Sequence, residues 1–190
     1  MIKEFDIEQY YREVKAVNGF TFSLKESSFR AREKLVKKYS WAIPTEEAIT
    51  KLIPFCKNGV VEVCAGNGYW ARCLYSKGIS VIAFDEKPWN RLWFPVKEGS
   101  EEKAGQNYKR TLFLCWPPYD DKAAIRCLHD HKTNGGTTVI YVGEGNYGCT
   151  GDDSFHEYLT NSYELITTIE IPQWDHIHDS IMVYKLNENS

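Results

Sequence analysis

Four short stretches hold the residues whose types and spacing could do chemistry. The first, VVEVCAGNGYWA from Val60 to Ala71, reads as a buried strand, a turn carrying Gly66 and Gly68, and a helix from about Tyr69. A helix start leaves N–H groups unpaired at its positive end, and glycines let the backbone turn sharply and approach a ligand closely. The second, ISVIAF, ends in Asp85, where a carboxylate can accept hydrogen bonds from ribose hydroxyls. The third, LFLCWPPYD, places Cys115, Trp116 and Tyr119 after another strand. The fourth group is Glu144, in VGEGNYGCTGDD, with the loop WDHIHD from Trp174 to Asp179. Nucleotide-type cofactor binding is the leading chemistry. His178 is a candidate general base, because an unperturbed imidazole titrates at about 6.5. Glu144 is its rival as base or substrate-orienting acid, and Trp116 and Tyr119 would shape an acceptor pocket.

The elements that must position these residues follow from apolar periodicity. Strands are expected at Val60–Cys64, Ser80–Phe84, Trp93–Val96, Thr111–Cys115, Thr137–Val142, Leu165–Ile171 and Ser180–Leu186. Helices fit between most of them, at Trp70–Lys77, about Ser100–Tyr108, Asp121–Lys132 and Asp152–Asn161. Alternation of this kind predicts a doubly wound α/β fold with a seven-stranded, mostly parallel sheet. The loop between the last two strands is too short for a crossover, so those strands form an antiparallel hairpin. In an open parallel sheet ligands bind beyond the carboxyl ends of the strands, and all four stretches converge on that edge.

The first third reads as an N-terminal helical extension (residues 1–56) outside a cofactor-binding core (57–186), the whole forming one domain. Asp6 caps a helix through about Val17, with Ile7, Tyr10, Tyr11, Val14 and Val17 near helical spacing, and Asn18-Gly19 stops it. Ser27 or Ser28 caps a second helix, whose clustered Arg30, Arg32, Lys34, Lys37 and Lys38 read as a solvated face or a basic patch. Thr45 caps a third, with Glu46 and Glu47 favouring its positive end. Trp41, Ala42 and Ile43 form an apolar arm that packs on the core or closes over a cofactor.

The chain has 190 residues, enough to bury a sizeable core, and its net charge of −3 gives no global support for nucleic-acid binding. No apolar run is long enough to span a bilayer, and the N-terminus lacks a signal-like apolar stretch. The six cysteines, at 56, 64, 73, 115, 127 and 149, make no CxxC pair, which points to a reduced, cytoplasmic protein. Cys127-x-His129-x-His131 and Asp175-His176-x-His178-Asp179 contain metal-ligand types without a complete set, and no metal is expected.

These motifs together resemble the class I S-adenosylmethionine-dependent methyltransferases, over roughly Cys56 to Leu186. VVEVCAGNG resembles the family's acidic-x-Gly-x-Gly-x-Gly turn, with Glu62 as the acid and Gly66 and Gly68 as its second and third glycines. Asp85 matches the ribose-binding acid, and LCWPPY resembles the Asn/Asp/Ser-Pro-Pro-Tyr motif of amino-methyltransferases. LCWPPY and IPQW…IHD are also similar to a group of small, uncharacterised methyltransferase-like proteins. The resemblance implies S-adenosylmethionine as cofactor. Glu62, Ala65, Gly66, Asn67 and Gly68 would contact its methionine part, Asp85 its ribose, and Cys115 and Trp116 would line the same site. The implied partner is a small-molecule or protein acceptor. Two positions depart from the pattern. Cys64 stands at the first glycine, which a Cβ tolerates if the backbone there is extended. Trp116 replaces a polar acceptor with an indole, which only donates, so amine methylation of nucleic acid does not carry over. Alternatives are a nonenzymatic binding module of this fold, nucleic-acid modification, and, from Gly66-Asn67-Gly68-Tyr69-Trp70-Ala71, a dinucleotide-binding fold.

Overall fold

The structure, a computed structural model, describes residues 5–18, 26–146 and 148–187. Gly19, Tyr147 and the tail from Glu188 lie outside them. Helices α1 (Glu8–Asn18), α2 (Glu26–Lys38) and α3 (Glu46–Leu52) precede the sheet. Then follow β1 (Val60–Val63), α4 (Tyr69–Ser76), β2 (Val81–Asp85), β3 (Val96–Glu98), α5 (Glu102–Gln106) and β4 (Thr111–Cys115). The chain closes with α6 (Ala123–Thr133), β5 (Thr138–Gly143), α7 (Asp153–Ser162), β6 (Tyr163–Glu170) and β7 (Ser180–Leu186).

The seven strands form one sheet in the order β3-β2-β1-β4-β5-β7-β6. Pairing is parallel from β3 to β5, and β7 runs antiparallel to both β5 and β6. The hairpin therefore slots its second strand next to the parallel sheet and leaves β6 at the edge. β1 is buried along its whole length, as a central parallel strand covered on both faces must be. Its continuous run VVEV carries Glu62 into that interior, paired in register with Ala83 of β2 and Phe113 of β4.

Where the elements differ from expectation, a specific group explains it. β3 starts at Val96 rather than Trp93, because Pro95 has no N–H to pair and the Trp93 N–H is taken by the Asn67 carbonyl at 2.8 Å. α2 already begins at Glu26, ahead of Ser27 and Ser28. The Thr45 cap holds, its side chain accepting from the Ala48 N–H. The N-terminal helices do not lie apart from the core. Ile7, Tyr10 and Val14 of the first turns bury in the same apolar cluster as Trp70, Phe113, Ile140, Trp174 and Ile181. Among the described residues no helix is long and apolar enough to cross a membrane.

Candidate functional site

After β1 the chain makes three left-handed turns in five residues: Cys64 at φ +61°, Gly66 at +55° and Gly68 at +73°. At Gly68 a Cβ would meet Val96 Cγ2 at 2.9 Å and the Phe94 carbonyl at 3.1 Å, so glycine is required by both backbone and space. At Gly66 a Cβ would find nothing nearer than the Trp89 indole at 3.8 Å, which leaves this glycine's face open. Cys64 is not extended, as a non-glycine residue there would need to be. It holds the left-handed conformation that the resemblance assigns to glycine. An L-residue is strained there by about 1–2 kcal/mol. Cys64→Gly is therefore expected to be more stable than Cys64→Ala by about 1 kcal/mol in chemical denaturation. Equal stabilities would contradict the backbone strain.

The turn is pinned from β2. The Gly66 N–H donates to Asp85 Oδ2 at 2.8 Å and the Lys87 N–H to Oδ1 at 2.9 Å. The carboxylate thus sits beside the open glycine, with lone pairs remaining on each oxygen. Asn67, next in the chain, is held by its own side-chain hydrogen bonds. Its Oδ1 accepts from the Tyr69 N–H at 3.0 Å and its Nδ2 donates to the Tyr39 carbonyl at 2.7 Å. Its side chain thereby joins the first N–H of α4 to the end of α2.

That end of α2 runs on as a strap, Lys38 to Trp41, over the turn. Each of its carbonyls accepts from a different element. The Trp93 indole N–H bonds Lys38 at 2.7 Å and Asn67 bonds Tyr39. The Tyr10 hydroxyl bonds Ser40 at 2.6 Å and the Trp174 indole N–H bonds Trp41 at 3.1 Å. A chain without its own secondary structure is thereby held in one shape. Beneath it lies a cleft of about 140 Å³, walled by Tyr39, Trp41, Trp70, Trp89 and Trp116, with Glu62, Cys64 to Asn67 and Cys115 also lining it. The apolar arm divides its work: Ala42 and Ile43 are buried, while Trp41 closes one side of the cleft.

Glu62 is 2% exposed. Burial pushes its carboxyl up to about 8, against the Ala71 backbone N–H, which favours the ionised form; the Asp85 charge adds to the rise. Among the described residues Oε2 has no hydrogen-bond partner. A buried acid without a full set of partners is a costly feature that a cation in the cleft would relieve.

The remaining candidates meet at the same sheet edge. Trp116 is also left-handed, at φ +52°. Its ring stacks on Trp41 with centroids 4.5 Å apart and planes 7° from parallel. Its indole N–H is shared by both oxygens of Asp179, each at 2.9 Å. Burial pushes the Asp179 carboxyl up to about 6, with the Trp116 N–H opposing and the Glu144 charge assisting. Glu144 is 8% exposed; Oε1 accepts from the His178 backbone N–H at 2.8 Å and Oε2 from the Cys149 N–H at 2.9 Å. Despite its burial, these bonds hold the carboxyl below its ordinary value. The backbone of His178 is what engages Glu144; its ring is exposed. Tyr119 is 42% exposed at the rim.

Neither ligand-like motif gathers into a metal centre. Among the described residues no group of three or more His, Cys, Asp and Glu side chains could hold a metal ion. Cys127 and His131 are core, and the buried His131 Nε2–H donates to the Arg110 carbonyl at 2.9 Å. Sequence reasoning did not single out Trp70, whose periodicity marks an ordinary core position, or Asp179 as the partner of Trp116.

No protein-family model matches the chain, and no curated protein matches it. Solved structures do. A magnesium protoporphyrin IX methyltransferase from Synechocystis PCC 6803, crystallised with bound SAM, superposes with a TM-score of 0.50 at 9% identity, covering 98% of this chain and 100% of that one. The same enzyme with bound SAH gives 0.50 at 11% identity, over 93% and 94%. A structure described for the conversion of a disulfide bond into a thioacetal group during echinomycin biosynthesis gives 0.52 at 11% identity, over 77% and 82%. The chain has the Rossmann-like methyltransferase fold. Its mostly parallel seven-stranded sheet with an antiparallel C-terminal strand pair is that architecture, and identities this low speak to fold alone.

Proposed function

We propose that this chain is an S-adenosylmethionine-dependent methyltransferase acting on a small-molecule or protein acceptor in the cytoplasm. The observation that carries the reading is the buried carboxyl group of Glu62, with one oxygen unpartnered among the described residues, lining a cleft beside an open glycine turn. The fold and the cofactor-bound state of two structural neighbours support it. The residues fit such a cofactor. Glu62 would take the ammonium, the bare face of Gly66 would let the backbone lie against the ligand, and Asp85 would receive the ribose hydroxyls. The cofactor supplies a methyl group activated on sulfur.

What the protein must add is alignment, exclusion of water and removal of any proton the acceptor carries. Trp116 and Tyr119 would form the acceptor side. His178, whose ring is exposed at the edge, is the stronger candidate for the proton, since both oxygens of Glu144 already hold backbone N–H groups. Replacing Asp85 by Ala removes the ribose acceptor and the anchor of Gly66 together. Calorimetry with S-adenosylmethionine, S-adenosylhomocysteine and NAD is expected to give binding of the first two, weakened more than about tenfold in Asp85→Ala. Unchanged affinity would refute the ribose assignment, and NAD binding alone would replace the cofactor. Two left-handed residues at family glycine or polar positions, Cys64 and Trp116, favour a second reading as a nonenzymatic module of the same fold. Cofactor binding without turnover across an acceptor screen would support that reading.

A further inference from the structure

The hairpin loop between β6 and β7 grips both members of the Trp41–Trp116 stack. Its Trp174 indole N–H donates to the Trp41 carbonyl at 3.1 Å, and its Asp179 carboxyl takes the Trp116 indole N–H on both oxygens at 2.9 Å. The loop is closed on itself by the Gln173 side-chain amide, which donates to the Asp179 carbonyl at 2.9 Å. The main chain of Trp116 is tied separately, its backbone N–H donating to the Val142 carbonyl at 2.9 Å. The bond to Asp179 thus adds a hold on the side chain. Both rings wall the cleft, and in a space of about 140 Å³ the placing of one indole decides much of the shape. The Arg32 guanidinium carbon lies 5.9 Å from the Trp41 ring centroid. The stack therefore meets a cation from α2 and, through the Trp116 N–H, an acid from the hairpin loop.

This arrangement is costly twice over. Trp116 is a left-handed tryptophan, and Asp179, 1% exposed, is a buried acid whose two oxygens share one indole N–H. Costs of this kind persist where the surroundings over-determine the geometry, and they gather at ligand clamps. We propose that Asp179 is a positioning residue of the cleft, acting through the Trp116 indole to hold the Trp41–Trp116 stack as the acceptor-side wall. The proposal rests on the cofactor reading above in calling that wall the acceptor side. An ionised Asp179 offers the N–H two charged acceptors, and a protonated one holds it more weakly. Glu144, just after β5, is the acid that faces it. Tyr10 of α1, Cys115 of β4, Tyr141 of β5 and Cys149 also feel its charge, and burial pushes all four up, away from the range in which Asp179 titrates. The His178 ring, next in the chain, acts on Glu144.

Nuclear magnetic resonance on the full chain reads the bond directly. The Trp116 indole N–H resonance, identified by its loss in Trp116→Phe, should titrate between about pH 4.5 and 7.5 with a midpoint of about 6. In Asp179→Asn the amide oxygen still accepts the N–H and has no proton to lose, so the resonance should stay put across that range. A resonance that does not move in the wild type, or that still moves in Asp179→Asn because the His178 ring drives it, overturns the assignment. Calorimetry with S-adenosylhomocysteine at about pH 8 tests the wall. Asp179→Ala should weaken binding about tenfold, the loss of a hydrogen bond to a charged group, and Asp179→Asn should stay within about threefold of the wild type. An acid that acts through Trp116 has nothing to act on once the N–H is gone. Asp179→Ala should therefore cause no further loss in a Trp116→Phe background. An equal loss there, or full affinity in Asp179→Ala alone, would make Asp179 a residue of the fold only and overturn the proposal. If Asp179→Ala does not fold, the wild-type and Asp179→Asn titrations decide. If no adenosyl ligand binds, the cofactor reading fails, and the same two titrations still decide whether Asp179 places Trp116.

Discussion

Replacing Glu62 by Gln should lower affinity for S-adenosylmethionine about a hundredfold at pH 8 and leave it nearly unchanged at pH 6. The reason is a proton. With its carboxyl pushed up to about 8 by burial, free Glu62 is mostly protonated at neutral pH. A ligand ammonium favours the ionised form, so binding must first release that proton. Wild-type affinity then falls about tenfold for each pH unit below 8, because one unit is about 1.36 kcal/mol. The amide carries no proton to release and shows a flat profile, and the two curves approach each other near pH 6. Isothermal titration across pH 6 to 8 checks this, with proton release read from buffers of different ionisation enthalpy. A parallel offset between the two proteins at every pH would refute the account.

The same carboxyl sets a stability trend of opposite sense to the usual acid. Its folded value lies above the unfolded one, so the unfolded chain binds fewer protons between about pH 4.5 and 8. Wild-type stability must fall as pH rises through that window. Glu62→Gln removes the fall, and its melting temperature should exceed that of the wild type at pH 8.5, the difference shrinking towards pH 5. The gain in stability and the loss of affinity come from one buried group, the pattern expected of a binding site rather than of a core position.

The sheet was largely legible because its strands are short buried runs between breakers. Thr111–Cys115 and Ser180–Leu186 coincide with β4 and β7, and the short hairpin loop correctly implied antiparallel pairing. The turn's glycines were legible by spacing, and Gly68 is confined by Val96 and Phe94 as a conformational requirement would suggest. What failed to read was non-local. Cys64 cannot announce a positive φ, because its residue type argues against one. Asn67 reads as a ligand contact by position, and the sequence does not show that its side-chain amide donates to carbonyls 28 and 29 residues earlier. Trp116 stood out as a departure, but the carboxylate that takes its N–H lies 63 positions on. Trp70 looks like any core tryptophan until the three-dimensional surroundings leave its N–H without a partner among the described residues. Helical periodicity likewise placed Ile7, Tyr10 and Val14 on one face without saying that this face packs on the same core as the sheet.

Truncating Glu144 to Ala should cost about 3 kcal/mol, the loss expected when charge-assisted bonds to two backbone N–H groups are removed. Glu144 does not stand alone. Its own N–H donates to Thr150 Oγ1 at 2.9 Å, and the Tyr141 hydroxyl lies 2.8 Å from its carbonyl. The carboxylate clasps the loop after β5 to the hairpin loop, and Asp179, next to the clasped His178, holds the Trp116 indole against Trp41. Release of the clasp should therefore loosen the acceptor side of the cleft as well. Hydrogen exchange is expected to quicken at residues 144–146, 148–150 and 177–179 in the variant, with a melting temperature about 6–12 °C lower at pH 7. The pH dependence follows the ordinary carboxylate sign. The folded value is depressed by the His178 and Cys149 N–H groups, so the contribution is complete above the unfolded value and fades as pH falls through the folded one. The wild type and Glu144→Ala should converge in stability in that acidic range. Were Glu144 instead the proton acceptor of the reaction, Glu144→Gln would fold with wild-type stability and exchange rates and lose only turnover. An amide cannot present two acceptor oxygens to two N–H groups, so the clasp predicts a measurable loss of stability in that variant too.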